Sequence, residues 1–160
     1  MLSKGLPPLP HTECVLRSLG DDPLLARRLA QMGVVPGARI TVRRVGPLGD
    51  PIELGVERGQ SVALRAREVA RLECQVLAGP LSVFAERTGV AYRVRALEGG
   101  EAFRSRMARL GLEPNRELYL RAARPGFDLT VLATNKEVQL GRGEASRVIV
   151  EPRDAAADHA

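Results

Sequence analysis

Histidine and cysteine, two of the residue types that bind metal ions, occur only four times in this sequence. His11 and Cys14 are separated by two residues, Cys74 lies 60 residues beyond Cys14, and His159 is the penultimate residue. An iron site requires clustered ligands at a usable spacing, and His11-x-x-Cys14 has no matching second pair. If the first and last strands of one domain pair, Cys14 and Cys74 are neighbours with His11 nearby. The alternative is a surface histidine and two core thiols, and we predict no metal site and no cofactor.

Catalytic motifs are also missing. The sequence has no G-x-S-x-G nucleophile motif and no paired carboxylates on a predicted pocket. The stretch Gly46–Gly49 lacks the lysine and the following helix of a phosphate-binding loop, so we interpret it as a turn between strands. Arg27, Arg28, Arg106 and Arg109 form either a basic face or the solvated side of two helices. We therefore predict that the protein is not an enzyme.

The composition is that of a soluble globular protein. The 160 residues are 44% apolar and 27% charged, with a net charge of +5 and a pI near 10.0. The basic pI permits nucleic-acid binding, but acidic residues are interspersed and aromatic residues are only 3%. No run of 18 apolar residues and no signal-peptide pattern is present, so we expect a cytoplasmic protein.

The elements that would position any site occur twice. Gly33 and Pro36 follow an amphipathic helix and predict a helix stop, and Gly111 and Pro114 repeat that stop 78 residues later. From Leu64 and Leu140 onward the offset between the copies is 76. The pattern therefore indicates two similar small domains.

Each copy reads as a strand, a helix and four short strands, with a one-turn 3-10 helix before the last strand. We predict a mainly β fold with short helices, in which each copy forms a small closed or nearly closed barrel. The domains are expected at residues 5–76 and 79–152, and a disordered tail at 153–160.

The ordered set of motifs resembles the FeoA (ferrous iron transport protein A) family. The first copy carries Arg27–Gly37, the loop Pro47-Leu48-Gly49-Asp50-Pro51-Ile52-Glu53 and the segment Leu64–Val69. The second copy carries Arg106–Asn115 and Leu140–Ala145. It departs from the pattern where Asn115 replaces a glycine and where Arg124–Asp128 replaces the loop.

The resemblance implies two tandem SH3-like barrels and a non-catalytic, cytosolic accessory of ferrous iron uptake. Its implied partner is the cytosolic G-domain or the membrane core of a FeoB-type transporter, and it would reach the membrane only through that partner. The family is also associated with the binding of transition metal ions. The barrel is also similar to the C-terminal domain of iron-dependent DtxR-like repressors. The alternative is a small basic barrel that binds nucleic acid or serves as an iron-responsive transcription adaptor. A second copy of the chain is a further candidate partner, which would give a homo-oligomer.

The loop of the first copy is the candidate partner-binding site, with Pro47, Leu48, Asp50 and Pro51 as its residues. Prolines limit the freedom of the loop, so a partner loses less ordering entropy on binding it. Leu48 either is an exposed apolar anchor or folds back and caps the barrel. Phe127 lies near the equivalent place in the second copy, which we expect to be a structural or dimerising half.

Overall fold

The computed structural model describes residues 2–153, with the backbone alone for residues 2–4 and for Arg58. The chain divides into two compact units between Gly79 and Pro80. His159 and, beyond Arg153, the predicted tail lie outside the described residues. Among residues 2–153, no helix has both the length and the apolar character that a membrane crossing requires.

Unit 1 is built on an antiparallel sheet with the strand order β6-β2-β3-β4-β5, and a short strand β1 pairs with β6. Its elements are β1 (Leu2–Lys4), β2 (Glu13–Ser18), α1 (Pro23–Gln31), β3 (Arg39–Val45), β4 (Ile52–Val56), β5 (Ser61–Leu64), α2 (Ala66–Val69) and β6 (Glu73–Pro80). Short 3-10 turns at Pro47–Gly49 and Glu57–Gly59 join β3 to β4 and β4 to β5.

Unit 2 repeats this order as β10-β9-β8-β7-β11. A 3-10 turn at Leu81–Phe84 precedes β7. The elements are β7 (Val90–Leu97), α3 (Glu101–Arg109), β8 (Glu117–Ala122), β9 (Phe127–Val131), β10 (Lys136–Leu140), α4 (Arg142–Ala145) and β11 (Val148–Pro152). The expected mainly β fold with short helices is confirmed.

The helix α1 begins and ends where its sequence requires. The Asp22 carboxylate accepts hydrogen bonds from the N–H groups of Leu24 and Leu25, and Pro23 occupies the first helical position. At the other end Gly33 has φ +83°, and the N–H of Val34 donates to the carbonyl of Leu29 at 2.9 Å. This closure directs the chain from the helix into β3.

The same helix stop operates in unit 2. Gly111 has φ +85°, and the N–H of Leu112 donates to the carbonyl of Met107 at 2.8 Å. Asn115 takes φ +73° at the position where unit 1 has Gly37, because asparagine tolerates the left-handed region better than most residues do. The replaced glycine therefore leaves the turn intact.

Each unit has its own apolar core. In unit 1 the core joins the buried side of α1 to the inner face of the sheet, through fully buried residues that include Leu16, Leu29, Ile40, Leu54 and Leu72. In unit 2 the Phe84 and Tyr92 rings pack with their centroids 4.9 Å apart, and Tyr92 donates its hydroxyl to the carbonyl of Arg87. Phe127 is a third buried aromatic residue of unit 2, and most of the remaining core residues in both units are aliphatic.

Three details differ from the sequence-based expectation. The one-turn helices α2 and α4 are α-helical rather than 3-10. The last strand of unit 1 begins at Glu73, because α2 and the turn after it occupy the chain up to Leu72. Within residues 2–153, the outer strands β5 and β10 do not pair with β6 and β11, so neither sheet closes. The chain passes from β5 to β6 and from β10 to β11 through a helical turn, which separates the strands that closure would join.

Candidate protein-docking loop

The loop Gly46–Pro51 between β3 and β4 is held in one conformation by its own backbone. The N–H of Gly46 donates to the carbonyl of Pro51 at 2.8 Å, and the N–H of Gly49 donates to the carbonyl of Gly46 at 3.0 Å. A Cβ atom at Gly46 would lie 2.5 Å from the carbonyl oxygen of Asp50, so glycine alone fits there. The Asp50–Pro51 peptide bond is cis. The closed backbone fixes the direction in which the tip of the loop points.

Leu48 is at that tip, and its side chain is completely exposed, at 105% of the reference accessibility. Its backbone is left-handed, with φ 59° and ψ 20°. A non-glycine residue in this region costs about 1–2 kcal/mol. Of the two alternatives for Leu48, the structure shows the exposed side chain and not the one that folds back on the barrel. The exposed side chain of Leu48 makes no packing contact that would offset the strain of its backbone.

Asp50 connects the loop to the helical turn α2. One oxygen of its carboxylate, Oδ1, accepts a hydrogen bond from the N–H of Ala66 at 2.8 Å. Ala66 is the first residue of α2, where backbone N–H groups lack partners within the helix. Asp50 therefore positions the loop against α2, while Pro47 and Pro51 are exposed on either side of Leu48.

Three arginines lie on the segments next to the loop, where the carboxylates of Asp50 and Glu53 also lie. Arg65 and Arg67 flank Ala66 in sequence, and both are exposed. Arg44 precedes the loop on β3, with 82% of its side chain exposed and its Nε 4.0 Å from Glu53. An open groove of about 470 Å³ runs beside the loop, lined by Arg44, Gly46, Pro51, Glu53, Ser61, Val62 and Ala63. Sequence reasoning did not identify these three arginines as part of the site.

Unit 2 has no counterpart of Leu48. In unit 1 Val42 pairs with Leu54, and in unit 2 the equivalent Leu120 pairs with Leu129. The numbers of equivalent residues therefore differ by 78 before this loop and by 75 after it. The next turn of unit 2 is one residue longer, which restores the offset of 76. The segment of unit 2 that joins β8 to β9 is therefore three residues shorter, and these residues are the ones that carry the tip of the unit 1 loop.

The expectation that Phe127 lies near the place of Leu48 is wrong. Phe127 pairs with Leu140 as Ile52 pairs with Leu64, so Phe127 is equivalent to Ile52 at the start of β4. Its side chain is buried, with 3% exposed. Phe127→Asp would bury a charge in the core of unit 2. This substitution therefore cannot serve as a surface control for a substitution of Leu48.

Cys14 and Cys74 are both buried free thiols that contact each other. They lie diagonally across β2 and β6, because Leu16 pairs with Cys74 and Cys14 pairs with Val76. Their shared hydrogen bond and then burial raise the pKa of the Cys14 thiol well above its ordinary value. The predicted proximity is confirmed. Tyr92 and Val150, which occupy the equivalent places in unit 2, are buried as well.

His11 differs from the two buried thiols because its side chain is exposed. It lies in the turn before β2, with φ +73°. Its backbone N–H donates to the carbonyl of Val42 at 2.9 Å. Within the described ranges, no three His, Cys, Asp or Glu side chains come together in a way that would hold a metal ion.

Similarity to known proteins agrees with the repeat. The FeoA domain model matches residues 9–76 and again residues 87–152. The chain is similar to the solution structure of iron(II) transport protein A from Clostridium thermocellum, with 30% identity and a TM-score of 0.56. That match covers 89% of this chain and 83% of the Clostridium protein.

Two further solved structures match slightly less than half of the chain. FeoA from Chlorobium tepidum is 35% identical over 43% of this chain and 65% of its own, with a TM-score of 0.40. FeoA from Stenotrophomonas maltophilia, solved in complex with zinc, is 31% identical over 47% of this chain and 89% of its own, with a TM-score of 0.38. It is described as a prokaryotic SH3 domain protein and is suggested to activate bacterial ferrous iron transport.

Two matches to one family model, in two units with the same strand order and the same helix stop, agree with the resemblance inferred from the motifs. The family is linked to ferrous iron transport, and the Clostridium relative is described as an iron(II) transport protein. The chain belongs to the FeoA family and carries two tandem FeoA domains.

Proposed function

We propose that this protein is a non-catalytic, cytoplasmic accessory of ferrous iron uptake that docks onto a FeoB-type membrane transporter through the Gly46–Pro51 loop. In this proposal the first domain, residues 5–76, makes the contact. The second domain, residues 79–152, lacks the loop tip and supports the first or mediates self-association.

The observation that supports docking is the full exposure of Leu48 on a closed loop. Removing one leucine side chain from water contributes about 1.5–3 kcal/mol. A loop that already has its bound conformation loses little entropy when a partner covers it, so most of this gain is retained in the affinity. The strain at Leu48 also favours a functional role, since strained non-glycine residues cluster at binding sites.

The absence of the loop tip from unit 2 is a second line of support. Both units fold with the same strand order, so the tip is not required to complete an FeoA domain. A segment that costs conformational strain and is not needed for the fold is expected to be retained for binding.

The test is a binding measurement with the FeoB-type transporter of the same genome, purified in nanodiscs of neutral lipid. Leu48→Asp is expected to abolish binding, because it places a charge where an apolar pocket covers the side chain. Leu132→Asp is the control, since Leu132 is a leucine of unit 2 with 41% of its surface exposed. It is expected to bind as tightly as the wild type.

Thermal unfolding of both variants verifies that the domains remain folded. Folded Leu48→Asp protein that binds with unchanged affinity would exclude this loop as the docking site. A wild-type protein that does not bind the transporter at all would exclude the proposed partner.

A further inference from the structure

We infer that the docking surface around Leu48 recognises an acidic protein surface, and that Arg44, Arg65 and Arg67 supply the complementary charge. The inference rests on the proposed docking of the loop and names the chemistry of the partner. Its support is independent of Leu48, because it comes from a comparison of the arginines in the two units.

The first step concerns which arginines of unit 1 have partners within the fold. Five of them interact with a polar side chain of the same unit: Arg17 with Gln75, Arg28 with Glu68, Arg39 with Glu13, Arg43 with Ser61 and Arg71 with Asp22. Arg65 and Arg67 are exposed, and neither is joined to a carboxylate by a salt bridge of the described residues, although Arg67 is one of the charges that lower the pKa of Glu68. The Arg44 side chain is 82% exposed and reaches Glu53 only at 4.0 Å, which is a weak surface contact.

The second step compares these positions with unit 2. Four of the five arginines that have partners recur there as Arg95, Arg106, Arg121 and Arg147, and the fifth, Arg39, aligns with Glu117. The β3–β4 and β8–β9 registers align Arg44 with Ala122. The residues that precede α2 and α4 are Arg65 and Gly141, and two positions later Arg67 aligns with Gly143. Unit 2 therefore lacks the three arginines as well as the loop tip.

The third step concerns position. The hydrogen bond from Ala66 to Asp50 holds the start of α2 against the loop, so Arg65 and Arg67 flank a residue that contacts the loop directly. Arg44 lies at the end of β3 that leads into the loop and lines the open groove beside it. The three arginines thus lie on the two segments, the end of β3 and the start of α2, that adjoin the loop. The interface would have an apolar anchor at its centre and a charged rim.

An anionic membrane also attracts arginines next to an exposed apolar side chain. A protein surface is favoured because a single leucine buries far less apolar area than an acyl chain, and even one acyl chain gives only marginal membrane binding. The fixed loop conformation also suits a shaped pocket better than a fluid lipid surface.

The experiment compares the double variant Arg65→Glu/Arg67→Glu with the wild type, using the transporter in neutral-lipid nanodiscs. Affinity is expected to fall by about tenfold or more, because like charges then face each other across the rim. The wild-type affinity is also expected to weaken as salt rises from about 0.05 M to about 0.3 M, since salt screens exposed charge pairs.

The matched control is Arg104→Glu/Arg142→Glu in unit 2, which makes the same change in net charge at exposed positions of α3 and α4. It is expected to change the affinity by less than about twofold, because these arginines are not at the docking surface. Circular dichroism melts of each variant confirm folding.

The outcomes separate this inference from the proposal on which it rests. If Leu48→Asp abolishes binding while the Arg65→Glu/Arg67→Glu variant binds normally, docking stands and the acidic partner surface is excluded. If the control variant loses as much affinity as the test variant, general charge attraction is responsible and the inference falls. Equally tight binding to empty nanodiscs of anionic lipid would assign the surface to the membrane instead.

Discussion

The carboxylate of Asp50 accepts a hydrogen bond from the backbone N–H of Ala66 at 2.8 Å, and this contact joins the β3–β4 loop to the first residue of α2. The two residues are separated by 16 positions in the chain. The contact caps an orphan helix N–H and holds the exposed leucine next to the arginines of α2. The Asp50 side chain therefore joins the loop that carries Leu48 to the helical turn that carries Arg67.

Removing this contact is expected to lower stability modestly. Asp50→Ala should reduce the free energy of unfolding by about 0.5–1 kcal/mol, as for the loss of other N-terminal helix caps. The loss is small because α4 forms its turn in unit 2 with no equivalent side-chain cap from the preceding loop. Urea unfolding measures the change. Asp50→Asn keeps an acceptor oxygen, so its free energy of unfolding should be close to that of the wild type. If the alanine variant is as stable as the wild type, the cap contributes nothing to stability.

Relieving the strain at Leu48 is expected to raise stability. Asparagine adopts the left-handed region with less penalty than leucine, so Leu48→Asn should increase the free energy of unfolding by about 0.5–1 kcal/mol. The same substitution should weaken transporter binding, because the apolar anchor is lost.

The control for Leu48→Asn is Leu24→Asn on α1, where the leucine is also exposed, at 79%, but lies within a helix. That change should leave stability unchanged or lower it, since asparagine has the poorer helix propensity. Thermal melts of the two variants give opposite shifts if backbone strain is the cause. A lower melting temperature for Leu48→Asn would contradict the strain.

Thr12 is a buried polar residue whose hydroxyl is unsatisfied. Its side chain is fully buried, and Oγ1 finds no hydrogen-bond partner among the described residues. Thr12→Val removes the unpaired hydroxyl and keeps the shape, so the free energy of unfolding should rise by about 1 kcal/mol.

Unit 2 has Val90 at the position of Thr12, which indicates that the fold accepts valine there. The half-buried Thr41 on β3 provides the control, and Thr41→Val should change stability by less than about 0.5 kcal/mol. Chemical denaturation distinguishes the two. A Thr12→Val protein less stable than the wild type would mean that the hydroxyl has a partner in solution.

Glu68 is expected to make stability depend on pH. The backbone N–H of Arg65 donates to its carboxylate at 2.9 Å, and this bond together with nearby Arg28 lowers the pKa of Glu68 below the ordinary 4.5. A carboxylate whose pKa is lowered by folding stabilises the native state above its unfolded pKa. That contribution is lost as the pH falls through the folded pKa.

The stability difference between the wild type and Glu68→Gln should therefore be largest near neutral pH and should shrink below pH 4.5. Urea unfolding of both proteins near neutral pH and in acid measures it. Glu73→Gln, at an exposed glutamate of β6, is the matched substitution that controls for the change of net charge. A wild-type advantage that grows in acid would reverse the assigned sign.

The local structure of both units was predictable because it follows from short-range rules. Asp22 and Pro23 determine where α1 begins, and Gly33 determines where it ends, through backbone conformations that few other residues adopt. Apolar and polar residues alternate at the start of β3, so Ile40 and Val42 share one face of the strand, and both are buried. The repeat at offsets of 78 and 76 then identified two copies of one domain.

The tertiary structure decided the details that depend on contacts between distant residues. Sequence alignment placed Phe127 near Leu48, whereas strand register moves Phe127 into the core, because pairing with Leu140 sets which face it occupies. The exposure of Leu48, the contact between Asp50 and Ala66, and the position of Arg65 beside the loop arise only when β3, β4 and α2 come together. Local sequence determines where an element begins and ends. Which side chains meet across elements is determined by register and packing, which no short stretch of sequence contains.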